Sequence, residues 1–270
     1  DVRGAILLTI ALPALLLVIG QTSLWQHHTG LALGVLIAAL LLLAGWTLLE
    51  VRTENPLVDI RLLRHPAVAA ANVVMFTGGI GMYLLFSMIT RYVQTPSAAG
   101  YGFGLNTFQA GLVLVPFSLL GFVAGRLVPG WRDRLGPRML LLASTATVLV
   151  AFVLFATARS HLVEPIVANG ILGFGVGAFS AAMPGVILAV TPKAETASAM
   201  SVNAVVRSVG FSTGSALGGL ILAAHTTSVF PRESGYGAAA WIGAAATAAT
   251  LLIIAVLPLK RAERQEVSAA

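Results

Sequence analysis

GRLVPGWRDRLGPR, residues 125–138, decides how the rest of the chain is read. Four arginines (126, 132, 134 and 138) and Asp133 fall within fourteen positions, between apolar runs at 108–125 and 139–158. Such a stretch reads as a short polar connection between two membrane-crossing helices. Because Lys and Arg accumulate in connections on the inner face of a membrane, this one is expected inside the cell.

Composition agrees with that reading. The 270 residues are 57% hydrophobic and 10% charged, with a mean hydropathy of +0.91. A soluble domain carries roughly 25% charged residues. Apolar runs of about 20 residues cross a hydrocarbon core of roughly 30 Å as helices, because only there are all backbone groups satisfied within the segment. The fold class expected is therefore all-α, a polytopic membrane helical bundle.

Several classes of chemistry are set aside by the same inspection. Without cysteine there is no disulfide, thiolate metal site or cysteine nucleophile. His27 and His28 adjoin, but no third ligand lies near them, so they read as a polar turn beside an interfacial Trp25 and no metal is expected. No HExxH, GxSxG or pair of intramembrane carboxylates occurs, so neither an enzyme nor a cofactor is expected. The net charge of +6 resides in short connections, which argues for topology rather than nucleic-acid binding. Asp1 is not a methionine and an apolar run begins almost at once, which suggests the C-terminal part of a longer polypeptide.

Eight spans are expected, over 4–20, 31–49, 67–92, 108–125, 139–158, 163–190, 200–224 and 238–257. Alternating the connections puts twelve Lys and Arg inside and three outside (Arg91, Arg159, Arg232), with Arg207 alone within a span. Both ends of the chain then lie inside. The connection over 50–66 is the longest inner one. Asn55 can cap a short helix there, Pro56 suits its first turn, and Leu57, Ile60 and Leu63 oppose Asp59, Arg61 and Arg64, as in a helix lying along the membrane surface. Residues 259–270 form a polar tail.

Polar residues inside spans are functional candidates because each is costly in hydrocarbon. Arg207 is given a structural or gating role, with anion binding as the alternative. Glu164 sits at the start of span six, where a carboxylate is favoured by the helix dipole and Ser160 could act as the cap; the alternative is a proton-linked role. No other acidic residue approaches a span, so a coupling carboxylate is expected outside this chain. Asn72, Tyr83, Gln94, Asn169 and Asn203, with Asn106, could line a polar path or bridge helices. Gly78, Gly79 and Gly81 read as packing positions or as a bend. Gly170, Gly173, Gly175 and Gly177 invite a close neighbour. Gly210, Gly214 and Gly218, four residues apart, form one smooth face for another helix.

WRDRLGPR, with Asp133, Arg134, Gly136 and Arg138, resembles the cytoplasmic signature loop of the major facilitator superfamily. Four further segments are similar to its fourteen-span drug:proton antiporter branch: ENPLVDIRLLRHPAVAAANVV, GYGFGLNTFQAGLVLVP, GILGFGVGAFSAAMPGVILAVTP and ASAMSVNAVVRSVGFSTGSALGG. The resemblance implies that 1–49 hold two extra central spans, that 67–258 form the C-terminal six-helix bundle, and that an N-terminal six-helix bundle belongs to the same polypeptide. It implies alternating access about a midplane site, a charge latch using Asp133, Arg134 and Arg138, and a cavity faced by spans three, four, six and seven, with five and eight supporting. Phe76, Tyr83 and Phe86 with Met75 and Met82 would then meet lipophilic substrates. The function implied is export of small lipophilic or drug-like molecules in exchange for protons across the cell membrane. The alternatives are a specific exporter of a metabolite or self-made antibiotic and a non-transporting scaffold or sensor.

Overall fold

The computed structural model describes residues 2–21, 24, 28–53, 66–191, 195–226 and 229–256, with the backbone alone at 2, 3, 5, 20, 133 and 190. Trp25, His27, the amphipathic segment at 54–65, Lys193 and the tail from Leu257 lie outside these residues. The elements are α1 (Val2–Gly20), α2 (Thr29–Arg52), α3 (Pro66–Gln94), α4 (Thr107–Val113), α5 (Val115–Thr157), α6 (Val163–Val190), α7 (Thr196–Ala224) and α8 (Glu233–Val256). Among the described residues there is no strand, only one antiparallel bridge between Thr226 and Pro231. Among the described residues, seven helical segments are long and apolar enough to cross a membrane, one formed by α4 with the first part of α5 (Thr107–Arg132) and another by the rest of α5 (Arg134–Thr157); the apolar part of α1, Ile6–Ile19, is shorter. The chain is a multi-pass membrane protein.

The opening stretch is not an irregular loop. The first arm of α5 continues as helix through Asp133 and Arg134 and breaks only at Gly136, whose φ of 73° and ψ of 160° no other residue adopts readily. Pro137 follows. It pushes the residue before it towards extended ψ and suits the first turn of a new helix, so Gly136-Pro137 makes the corner with Arg138 already in the second arm. The arms are called α5a (115–135) and α5b (137–157) below.

Glycine positions determine which helices touch. On α6, a Cβ at Gly173 would lie 2.2 Å from the Phe117 carbonyl oxygen, and one at Gly177 would lie 2.2 Å from that of Gly121, so α5a rests directly on the α6 backbone. Gly175 faces the other way, towards Val148 and the Ser144 carbonyl on α5b. On α3, the three glycines near mid-helix meet three different partners: Gly78 the Phe179 ring of α6, Gly79 the Gly210 backbone of α7, and Gly81 Thr247 of α8. The helix runs unbroken past them from Pro66 to Gln94, so they serve packing rather than a bend. Gly210, Gly214 and Gly218 lie against Phe76, Ile80 and Met88, which aligns α7 parallel to α3. Gly243 of α8 receives the Phe152 ring.

The core follows from this arrangement. Leu85, Met88, Ile89, Phe152, Phe155, Leu172, Phe179 and Ile187 are fully or almost fully buried. Burial differs between helices: α3 and α6 are half enclosed, whereas the segment Thr107–Arg132 and α2 stay mostly open, with only 17% and 11% of their apolar stretches buried. α1 packs on α2 and also touches α7. Glu50 corrects the expectation that only Glu164 approaches a span: α2 extends to Arg52, and Glu50 is 2% exposed in its last turn.

Candidate solute-facing site

α3 and α7, held parallel by their glycines, leave a polar contact near the end of the bundle that carries Gly136. The Asn203 Nδ2 donates to Asn72 Oδ1 at 3.2 Å, while Asn72 Nδ2 donates back to the Val68 carbonyl at 3.0 Å. Both side chains are buried and the pair joins the helices, with Asn72 also on the wall of the groove beside it. On one flank of this contact lies an open apolar groove of about 450 Å³, lined by Ala69, Val73, Phe76, Val205 and Val209 among others.

The other flank carries the aromatic residues. At 100° per residue, Arg207 and Phe211 lie on the opposite side of α7 from Val205 and Val209. The Arg207 guanidinium stands 6.0 Å from the Phe211 ring centre. Phe211 stacks on Tyr83 at 5.1 Å, Tyr83 meets Phe86 at 5.5 Å, and Phe86 meets Phe117 at 5.0 Å. These rings form a ladder from α7 across α3 to α5a, at separations typical of attractive aromatic pairs. Tyr83 is 38% exposed at its centre. Met75 and Met82, expected beside these rings, are each 4% exposed and belong to the core instead.

The other sequence candidates are scattered. Asn169 is fully buried and donates from Nδ2 to the Val113 carbonyl at 2.8 Å. That carbonyl sits where α4 gives way to α5a, at a break caused by Pro116, so Asn169 closes a backbone gap from a neighbouring helix. Replacing Asn169 with leucine will leave the carbonyl unpaired in apolar surroundings and cost about 1–3 kcal/mol, read as a lower melting temperature in detergent. Gln94 is exposed at the far end of α3, remote from the ladder. Asn106 is a cap: its side chain accepts from the Gln109 N–H at 2.9 Å, and Gln109 Oε1 accepts from the Asn106 N–H at 3.1 Å. Glu164 accepts from the His161 N–H at 2.9 Å and lies 3.6 Å from its ring, so the carboxylate is tied to the turn before α6, whose N-terminus has no side-chain cap from Ser160 or any other described residue. Arg134 is exposed and Arg138 half-buried, while Arg132 packs over Gly185 at the end of α6.

Sequence reasoning missed a cluster at the opposite end of the bundle. Arg159, with only 14% of its side chain exposed, donates to the Phe155 and Ala156 carbonyls and pairs with Glu233 at 3.5 Å. Tyr92 lies beside them, its hydroxyl within 3.2 Å of the Arg159 carbonyl, and its ring is surrounded by Tyr101, Phe103, Phe155 and Tyr236. The segment 95–106 closes over this cluster: Gly102, at φ 80°, lies where a Cβ would strike the Thr95 carbonyl, and the Tyr101 hydroxyl donates to the Pro231 carbonyl. Burial pushes the Tyr101 phenol up to about 12 from its ordinary value of 10. A raised folded-state pKa gives stability that is complete below pH ~10 and is lost as pH rises through about 12. The segment will therefore loosen in that alkaline window, followed by tyrosinate absorbance, and Tyr101→Phe will remove the Tyr101 part of the transition.

The Major Facilitator Superfamily family model matches residues 96–270, from this closing segment through α8. The chain belongs to the Major Facilitator Superfamily. Among curated superfamily relatives, the drug efflux pump JefA of Mycobacterium tuberculosis is 30% identical over 206 residues, covering 72% of this chain and 38% of the relative. The multidrug resistance protein Stp of the same species is 27% identical over 238 residues, covering 83% and 41%. A tetracycline resistance determinant of Streptomyces rimosus is 27% identical over 222 residues, covering 80% and 62%. The chain spans less than half the length of its mycobacterial relatives. Superfamily members are transporters of small molecules rather than enzymes.

Proposed function

We propose that this chain is the C-terminal portion of a proton-coupled exporter of small lipophilic or drug-like molecules, working by alternating access. The observation that carries the reading is the ladder from Phe117 through Phe86 and Tyr83 to Phe211, a row of half-buried rings that opens at Tyr83. Rings offer large apolar area with little geometric demand, which suits varied lipophilic solutes. The relatives named for drug efflux and multidrug resistance support the same reading. On it, an N-terminal six-helix bundle of the same polypeptide covers the ladder face, α1 and α2 are the extra central spans, and both ends of this chain lie in the cytoplasm. Rocking of the two bundles exposes the ladder to each side of the membrane in turn. Asp133, Arg134 and Arg138, around the Gly136 corner, would latch the inner face.

The test is dye accumulation in inside-out vesicles bearing the full-length polypeptide, with the proton gradient intact or collapsed. Gradient-dependent movement of several unrelated lipophilic dyes is expected. Movement of one solute alone would indicate a specific exporter. No movement by protein shown to be folded would leave the scaffold reading and overturn this one.

A further inference from the structure

We propose that Arg207 makes the ladder face selective for flat aromatic solutes that carry a negative charge, such as an aryl carboxylate. The proposal rests on the transporter reading and narrows its substrate class. Arg207 lies eleven residues into α7, about 17 Å along the helix from Thr196. It forms no ion pair with any described residue, and its guanidinium lies against a ring one turn farther into the span. The acidic residues of the six-helix part, Asp133, Glu164, Glu195 and Glu233, all occur at or near helix ends or the Gly136 corner. Glu164 is occupied with His161 and Glu233 with Arg159. No described carboxylate of these helices is therefore placed to neutralise Arg207.

A cation at this depth is costly unless it meets an anion or water. Its position at one end of four successive rings indicates what that anion would be. A planar solute lying across the exposed edge of Tyr83 would meet a row of rings spaced 5.0–5.5 Å apart, and an acidic substituent at its end would extend along that row towards Arg207. A guanidinium binds a carboxylate through two parallel N–H donors, which fixes orientation as well as charge. The ring face supplies breadth and the arginine supplies the sign. A lipophilic cation would gain the rings but be repelled by Arg207.

The experiment uses the full-length polypeptide in phosphatidylcholine vesicles, whose zwitterionic headgroups carry no net negative charge to compete for Arg207. Three probes share one ring system: pyrene carboxylate, pyrene carboxamide and pyrene trimethylammonium. Wild-type protein is expected to move the carboxylate about tenfold more efficiently than the ammonium. Arg207→Gln should remove about tenfold of the carboxylate rate while leaving the carboxamide within about twofold, and Arg207→Lys should keep part of the preference. Equal loss for all three probes in Arg207→Gln, with Arg207→Lys at normal membrane levels, would overturn the proposal by making the residue structural. Wild-type preference for the ammonium would overturn it while leaving the transporter reading intact. Movement of none of the probes by folded protein would overturn both.

Discussion

Replacing Gly177 with leucine will separate α5a from α6 and leave no monodisperse folded protein in detergent. A Cβ at this position would stand 2.2 Å from the Gly121 carbonyl oxygen, and that obstacle is backbone, not a side chain able to rotate away. Leucine is the better helix former by roughly 0.5–1 kcal/mol, which alone would stabilise α6. Overpacking costs typically about 1–3 kcal/mol even where side chains can yield, and here the two helices must move apart. Overlap therefore wins. Gly34→Leu is the matched control: nothing lies within 4 Å of a Cβ there, and the variant should melt with wild type. Normal melting of Gly177→Leu would show that α5a and α6 do not meet as described.

Gly136→Val will destabilise the chain by a different mechanism. Nothing lies within 4 Å of a Cβ at Gly136, so there is no overlap to relieve. The cost is torsional. At φ 73° and ψ 160° a β-branched residue is strained by on the order of 1–3 kcal/mol, and Pro137 prevents the usual escape into a helical ψ. The corner between α5a and α5b should reopen, seen as new protease cleavage near Arg134 and Arg138 and as a lower melting temperature. An unchanged cleavage pattern would mean that the corner is not held by this glycine.

What was legible in the sequence was whatever has a short-range or periodic signature. Span six was expected over 163–190 and α6 occupies Val163–Val190, because its apolar run is bounded by polar residues on both sides. The superfamily resemblance was also legible, in segments such as ASAMSVNAVVRSVGFSTGSALGG. Residues 125–138 were misread as a loop because charge density marks where a chain leaves hydrocarbon, not where a helix stops. Arginines can hydrate from a continuing helix, and the stop depended on the Gly136-Pro137 pair. Asn106 was misread although NTFQ carries the spacing of a capping box, a signal available from sequence. The Arg159–Glu233 pair left no such trace, and of the ladder only Tyr83 and Phe86 were legible. The remaining members are far apart along the chain, and the glycine contacts of α3 with α6, α7 and α8 bring their helices into register. Met82 and Tyr83 show the same limit: adjacent in sequence and both suited to a lipophilic surface, they fall on different sides of α3, at 4% and 38% exposure.

The proposed export requires the ladder to be the surface that meets solute. This chain contains no cysteine, so single cysteines can be placed at will, with any in the remainder of the polypeptide replaced. The most direct test is labelling of Tyr83→Cys by a water-soluble maleimide in membranes, with and without an aromatic solute, against Met82→Cys as the buried comparison. Tyr83→Cys is expected to react and to be protected by the solute, and Met82→Cys to remain unlabelled in both conditions. An inert or unprotected Tyr83→Cys beside a reactive Met82→Cys would place the solute path on another face of α3 and contradict the site.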